Sequence, residues 1–396
     1  MSKKINILIK LREIVIIIFL SVLFGSASLG MDIISSDSQL ITFRMMGISV
    51  SLIILIAFFF KGGWRISKSK LLILWFNYSI FAVISEIYNG DPVLGGLWLA
   101  VPMMLIFFII LPNVLKYRPN RTINLSLFIC HLPYIIISLL KFPIFEPYAG
   151  IFANPNSMGI LGVTLAAPLF GFLCNLIATK EGMQRIRIFF VITGIAGTFA
   201  IILLSASRTS LVAFVLLFCI VTWFVYMVKK LRLLILISIP LGIFIGFIYF
   251  LVANDISTYS IILDKFTNAY NGDFLSGRSF IWAETLRQAS LLGGGKEYFL
   301  NSFELTAHND FIRVLGENGI LSAFFFGLFA IGTLLVSFRY LTLNIKKDPY
   351  AITPFLMIVS LWALSMGETM LGLLGNGLST AAIVLVGICI YPTSNS

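Results

Sequence analysis

Long apolar runs recur along this chain from end to end, separated by short polar breaks. Most run lengths suit a helix that crosses a bilayer better than a segment of a soluble core. Runs fall at 14–29, 40–60, 71–85, 93–114, 123–140, 158–178, 188–204, 209–228, 231–252, 320–338, 351–366 and 370–390. The pattern predicts an all-α polytopic membrane protein of about twelve transmembrane helices, forming one integral membrane domain over 1–396. One break is long: residues 253–306 form a large loop between the ninth and tenth runs, and it carries short helices of its own. No repeat at a fixed period is visible.

Charge adds orientation. Lys3, Lys4, Lys10 and Arg12 precede the first run, Lys61, Arg65, Lys68 and Lys70 follow the second, and Lys116, Arg118 and Arg121 follow the fourth. Lys180, Arg185 and Arg187, then Lys229, Lys230 and Arg232, then Arg339, Lys346 and Lys347 continue the alternation. Cations near span ends are retained in the cytoplasm, so both termini are expected there and the long loop outside. The net charge of +11 is thereby explained by topology, and no nucleic-acid partner is expected. The first run, with its basic flank and GSASLG stretch, has features of a signal peptide; an uncleaved span is the expectation.

The four cysteines, Cys130, Cys174, Cys219 and Cys389, all fall within apolar runs without CxxC spacing, and they read as small buried hydrophobes. No metal site and no cofactor are expected. His131 sits inside an apolar run and reads as a hydrogen-bonded core residue.

The polar motifs are the more informative feature. FANPNSMG (152–159) opens the sixth span, SASRTS (205–210) the eighth, and LSGRSFIW (275–282) a helix in the long loop. Under the charge-derived topology all three lie on the outer side, as does AHNDFIRVLGENG (307–319). Asn156 or Ser157, Ser207, and Ser276 or Ser279 are suitable helix N-caps. Arg208 and Arg278 therefore stand at helix N-termini, the unfavourable end for a cation unless an anion is bound there. Forked guanidinium donors beside free helix N–H groups suit a phosphate, and two such places on one side suit a diphosphate. The alternative is that Arg208 snorkels to headgroups and Arg278 decorates a loop surface.

Gly293, Gly294, Gly295 and Lys296 lack phosphate-loop spacing and read as the turn closing the loop helix. Counting from His308, Phe311, Ile312 and Leu315 fall at helical spacing, which predicts His308 on the inward face of a helix. There it is either a general base near neutral pH or a satisfied core histidine. Arg313 and Glu317 are spaced to pair along the helix. The loop aromatics, Tyr259, Phe266, Tyr270, Phe280, Trp282 and Tyr298, read first as interface anchors, and sugar stacking is the alternative.

Taken together, FANPN, SASRTS, GRSFIW, the Gly-rich turn and AHNDFIRVLGENG resemble the O-antigen ligase and polymerase family of bacterial membrane proteins. The resemblance covers about 152–338; the first four spans and the last two look generic. It implies a glycosyltransferase of the bacterial plasma membrane that takes an undecaprenyl-diphosphate-linked oligosaccharide as donor and a glycan as acceptor, on the periplasmic or extracellular side. It implies Arg208 and Arg278 at the lipid diphosphate and His308 as the loop histidine. Asn154, Asn156, Asn309 and Arg313 of the same motifs are expected as further substrate contacts. A separate chain-length regulator and a flippase are the partners such a pathway implies, besides membrane lipids. No DxD pair occurs, so metal-independent transfer with inversion is expected. Repeat-unit polymerisation is the leading expectation, ligation to lipid A core or another acceptor the close alternative, and transport of a lipid-linked glycan the alternative of another class.

Overall fold

A computed structural model describes residues 2–29, 31, 38–60, 69–92, 103–115, 118–143, 147–179, 184–227, 242, 278–371 and 376–391. Among them the secondary structure is helical. The helices are α1 (Ser2–Ser28), α2 (Ser38–Phe60), α3 (Lys70–Tyr88), α4 (Leu111–Val114), α5 (Pro119–Lys141), α6 (Pro155–Ala178) and α7 (Gln184–Leu204). They continue as α8 (Arg208–Met227), α9 (Arg278–Arg287), α10 (Tyr298–Phe303), α11 (Asp310–Asn344), α12 (Ile352–Ser365) and α13 (Gly377–Ile390). A π-helical turn, Met103–Ile110, leads into α4.

Eight of these helices are long and apolar enough to cross a bilayer: α1, α2, α3, α5, α6, α7, α8 and α11. This is the architecture of an all-α multi-pass membrane protein. The expected ninth span, 231–252, and most of the loop aromatics' segment, 253–277, lie outside the described residues apart from Gly242, as does the first part of the fourth.

Helix α6 is the centre of the bundle. Of its most apolar window, 83% is buried, against 22–39% for the other seven. It packs on α5, α7, α8 and α12. Its small residues allow that approach: a side chain at Gly159 would meet Ser205, Ser207 and Ser210, and one at Gly162 would meet Ile202. Where lipid supplies no hydrophobic drive between helices, such close backbone packing does. Buried polar side chains add cross-links. Asn124 Nδ2 donates to Pro168 O at 2.9 Å, and Trp362 Nε1 donates to Thr333 Oγ1 at 2.8 Å.

The last two helices are inner elements. At 14 residues each, α12 and α13 span only about 21 Å. Both are buried nearly all round, α13 against α1, α11 and the π-helical turn. Ser28 Oγ receives Gly377 N–H at 2.9 Å and lies 2.7 Å from His131 Nε2, while His131 Nδ1 meets Leu127 O at 2.9 Å. His131 is thus a hydrogen-bonded core residue that ties α1, α5 and α13 together.

Two boundaries differ from the apolar pattern. Helix α11 starts ten residues before its apolar run, at Asp310, and continues past Gly319, where the backbone is not helical (φ 84, ψ −179). Its polar first turns are helical because the loop elements cover them. Met370 and Leu371, expected to open the last span, belong instead to the link before Asn376, whose side chain caps α13 by accepting from Ser379 N–H at 2.7 Å.

Candidate functional site

The N-termini of α6 and α11 and the link 366–371 meet at one end of the bundle, and α8 and α9 start beside them. Each is held by local chemistry. Asn154 caps α6, accepting from Asn156 N–H at 2.9 Å. The capping residue is therefore Asn154, rather than Asn156 or Ser157, because its backbone is extended (φ −113, ψ 124) just before Pro155. Asn309 caps α11, accepting from Phe311 and Ile312 N–H at 2.9 and 3.1 Å.

His308 consequently precedes the helix, instead of lying on its inward face. It adopts a left-handed backbone (φ 46), a conformation that is strained for a residue with a side chain. That turn aims the ring away from the α11 axis and toward the link.

The link is the hub. Arg278 of α9 donates from Nη1 to Gly367 O at 3.0 Å. Asn309 Nδ2 donates to Met366 O at 2.9 Å. Asp310, fully buried, accepts N–H bonds from Met370 and Leu371 at 2.9 Å each and pairs with Arg313 at 3.1 Å. Arg313 also donates to Leu371 O at 2.7 Å and lies 3.6 Å from Glu317. A side chain at Gly367 would run into Thr209, so the first turn of α8 packs directly on the link, with Arg208 beside it.

Glu368 connects this hub to His308. Its Oε2 lies 3.2 Å from His308 Nδ1, and its Oε1 accepts from Asn156 Nδ2 at 2.7 Å. The carboxylate is largely buried, with 10% side-chain exposure against 36% for His308. A carboxylate only accepts, so this contact puts a proton on Nδ1, and in the neutral form of the ring Nε2 is the acceptor.

A cavity of about 420 Å³ opens beside the pair; Asn154, Asn156, Lys296, His308, Arg313 and Glu368 are among its walls. Its size is that of an ordinary small-molecule site. Of the residues singled out from sequence, His308, Asn154, Asn156 and Arg313 reach this cavity. Asn309 lies beneath it, its amide committed to backbone groups on both sides. Arg208 and Arg278 flank it through the link and are not among its lining residues.

Two wall residues escaped the sequence reading. Glu368 lies between two apolar runs, and an acid in that place is a signal in itself. Lys296 was set aside with the Gly-rich turn. That turn does serve structure: Gly294 and Gly295 N–H donate to Gly316 and Glu317 carbonyls at 2.8 and 3.0 Å. Lys296 N–H meanwhile donates to Asp91 at 2.7 Å, which turns the residue toward the cavity.

Among the loop aromatics within the described residues, Trp282 and Tyr298 pack into a small second core around Ile281, Phe299 and Ala307. Trp282 Nε1 donates to Ala307 O at 2.9 Å, one residue before His308. They brace the site. No family model matches the sequence, and no curated protein matches it.

Proposed function

We propose that this chain is a membrane glycosyltransferase that polymerises undecaprenyl-diphosphate-linked oligosaccharide units on the outer side of a bacterial plasma membrane, on a twelve-span topology. The observation that carries the reading is the His308–Glu368 pair at the wall of a cavity that also holds a lysine. A sugar on a diphosphate already has a good leaving group. The protein then has to remove a proton from the acceptor hydroxyl and stabilise developing phosphate charge.

His308 Nε2 takes that proton in this reading. Glu368 fixes the ring orientation and stabilises the imidazolium that forms, as a carboxylate does behind a histidine base. Lys296 holds the diphosphate of the bound donor from the cavity wall. Arg278 and Arg208 act from the flank: Arg278 holds the link that carries Glu368, and both add positive potential, Arg208 beside the N-terminus of α8. The acceptor oxygen attacks the anomeric carbon as the bond to the diphosphate breaks, which inverts the configuration. The absence of a DxD pair in the sequence leads to the expectation that EDTA leaves the rate unchanged.

The test uses cells lacking the protein, rescued with the wild-type chain or His308→Ala, with surface glycan and lipid-linked sugars resolved on a gel. Polymerisation requires that single lipid-linked units accumulate and long chains vanish in the knockout and in the variant. Accumulation of long lipid-linked chains would instead assign transfer of a finished glycan to an acceptor. Full polymer output from His308→Ala at normal expression would remove the catalytic assignment.

A further inference from the structure

A second and larger cavity, about 1710 Å³, lies at the opposite end of the bundle. Helices α6, α11 and α13 each run from one cavity to the other. Asn156 and Ile160 near the start of α6 touch the His308 cavity, and Asn175 and Leu176 near its end touch the second. Arg313 and Tyr340 do the same for α11. The 24 residues of α6 put about 36 Å between its ends, so the two cavities cannot share a small ligand.

The walls of the second cavity carry Arg118, Arg121, Arg187, Arg339 and Lys347, against Asp348 as the acid among them. These cations come from three separate polar breaks in the sequence, which the fold gathers at one end. Part of the charge has a structural use. The C-termini of α6, α11 and α13 end here, each equivalent to roughly half a negative charge, while the N-terminus of α5 contributes the opposite sign. Glu13 of α1 also reaches Arg121, at 3.9 Å. Even so, among the described residues, allowing for Asp348, the helix ends and Glu13 and leaving out Arg187, which has an interaction of its own, an excess of roughly one positive charge remains over the cavity.

The mouth is apolar. Phe190 and Leu343 line it and are 67% and 65% exposed. A free anion gains nothing from such side chains, whereas the acyl chains of a lipid do. A basic pocket between helix ends at the membrane interface is suited to a phosphate-bearing headgroup.

We propose that this cavity binds the phosphate of an anionic phospholipid, with guanidinium groups of Arg121 and Arg339 as its principal ligands and the α5 N-terminus behind them. The chemistry recognised is a phosphate monoanion or diester; the apolar mouth selects the lipid as its source over soluble phosphate. The site is separate from the His308 cavity and stands whether or not the glycosyltransferase reading is right.

Native mass spectrometry of the purified full chain tests this, by titrating phosphatidylglycerol, phosphatidylcholine and inorganic phosphate in turn. Wild-type protein should retain phosphatidylglycerol at least about tenfold more tightly than phosphatidylcholine. The pair Arg121→Gln/Arg339→Gln should lose that preference, at roughly fivefold per cation removed. The pair Lys141→Gln/Arg287→Gln, which removes two charges at the other end, should keep it. Should the double variant fail to yield folded protein, Arg339→Gln alone, on an exposed face of α11, should lower the preference roughly fivefold. Equal retention of the two lipids, or unchanged preference in Arg339→Gln, would overturn the proposal. Displacement of the lipid by millimolar inorganic phosphate would overturn the lipid as source.

Discussion

His308 Nδ1 lies 3.2 Å from Oε2 of Glu368, a residue sixty positions further along the chain. The contact is made possible by two devices. A left-handed turn at His308 swings the ring off the α11 axis. The link that carries Glu368 is meanwhile held by Asp310, Asn309 and Arg278. Histidine and carboxylate therefore act as a unit, and their substitution effects should not add.

His308→Ala is expected to lower the polymerisation rate roughly a hundredfold to ten-thousandfold, the range for a lost general base. Glu368→Gln keeps an acceptor for Nδ1–H but loses the charge that stabilises the imidazolium, so a smaller loss of roughly tenfold to a hundredfold follows. The double variant should be no slower than His308→Ala alone. Rates of lipid-linked unit consumption by membranes of matched protein content decide this. Multiplicative losses would separate Glu368 from the catalytic step.

Lys296 and Arg278 should fail in different ways. Lys296 is exposed on the cavity wall, and Lys296→Gln removes a charge that donor and transition state meet alike, which predicts a KM for donor raised about tenfold with kcat nearly kept. Arg278 donates to Gly367 O, and Arg278→Gln disturbs the link beneath Glu368, which predicts loss mainly in kcat. Steady-state kinetics with a soluble-tailed diphosphate donor separates the two. A KM effect for Arg278→Gln without loss in kcat would instead put its guanidinium on the donor.

Asp310 is the structural pin. It is fully buried, accepts from two backbone N–H groups of the link and pairs with Arg313. Asp310→Ala strands those donors and a guanidinium, at a cost of about 3–5 kcal/mol. The midpoint of thermal unfolding in detergent should fall by several degrees or more, whereas His308→Ala should leave it nearly unchanged. Equal midpoints for Asp310→Ala and wild type would contradict the pin.

Much of this arrangement was legible from residues. Periodicity alone marks the bilayer-length helices, because a run of apolar residues in such a chain has few alternatives. Arg208 falls at a helix start as cap chemistry indicates, whereas the residues before Arg278 lie outside the described ones. What escaped was the partner set. Residues 366–371 straddle the junction of two runs that look generic, and only the fold reveals that Arg278, Asn309, Asp310 and Arg313, from two separate motifs, bond to their backbone. The His308 conformation escaped too, since helical spacing extends its pattern upstream of Asp310 while Asn309 fixes the true start.

Gly319 gives the clearest test of how the loop elements are locked to the bundle. Its backbone (φ 84, ψ −179) lies in a region that residues with side chains avoid, and a Cβ there would strike the backbone of Leu291 and Gly293. Opposite it, Gly294 and Gly295 donate to the carbonyls of Gly316 and Glu317, and Ser85 of α3 donates to Glu317 O at 3.1 Å. The kink in α11, the Gly-rich turn and the end of α3 thus form one joint. Gly319→Ala should cost at least about 2 kcal/mol locally, releasing α9 and α10 while the spanning helices stay folded. Limited proteolysis should then cut within 285–305 several-fold faster than in wild type, with activity falling in parallel because α9 carries Arg278 and the same joint positions Lys296. Unchanged cleavage rates at that segment would mean that the joint is not what holds the loop over the His308 cavity.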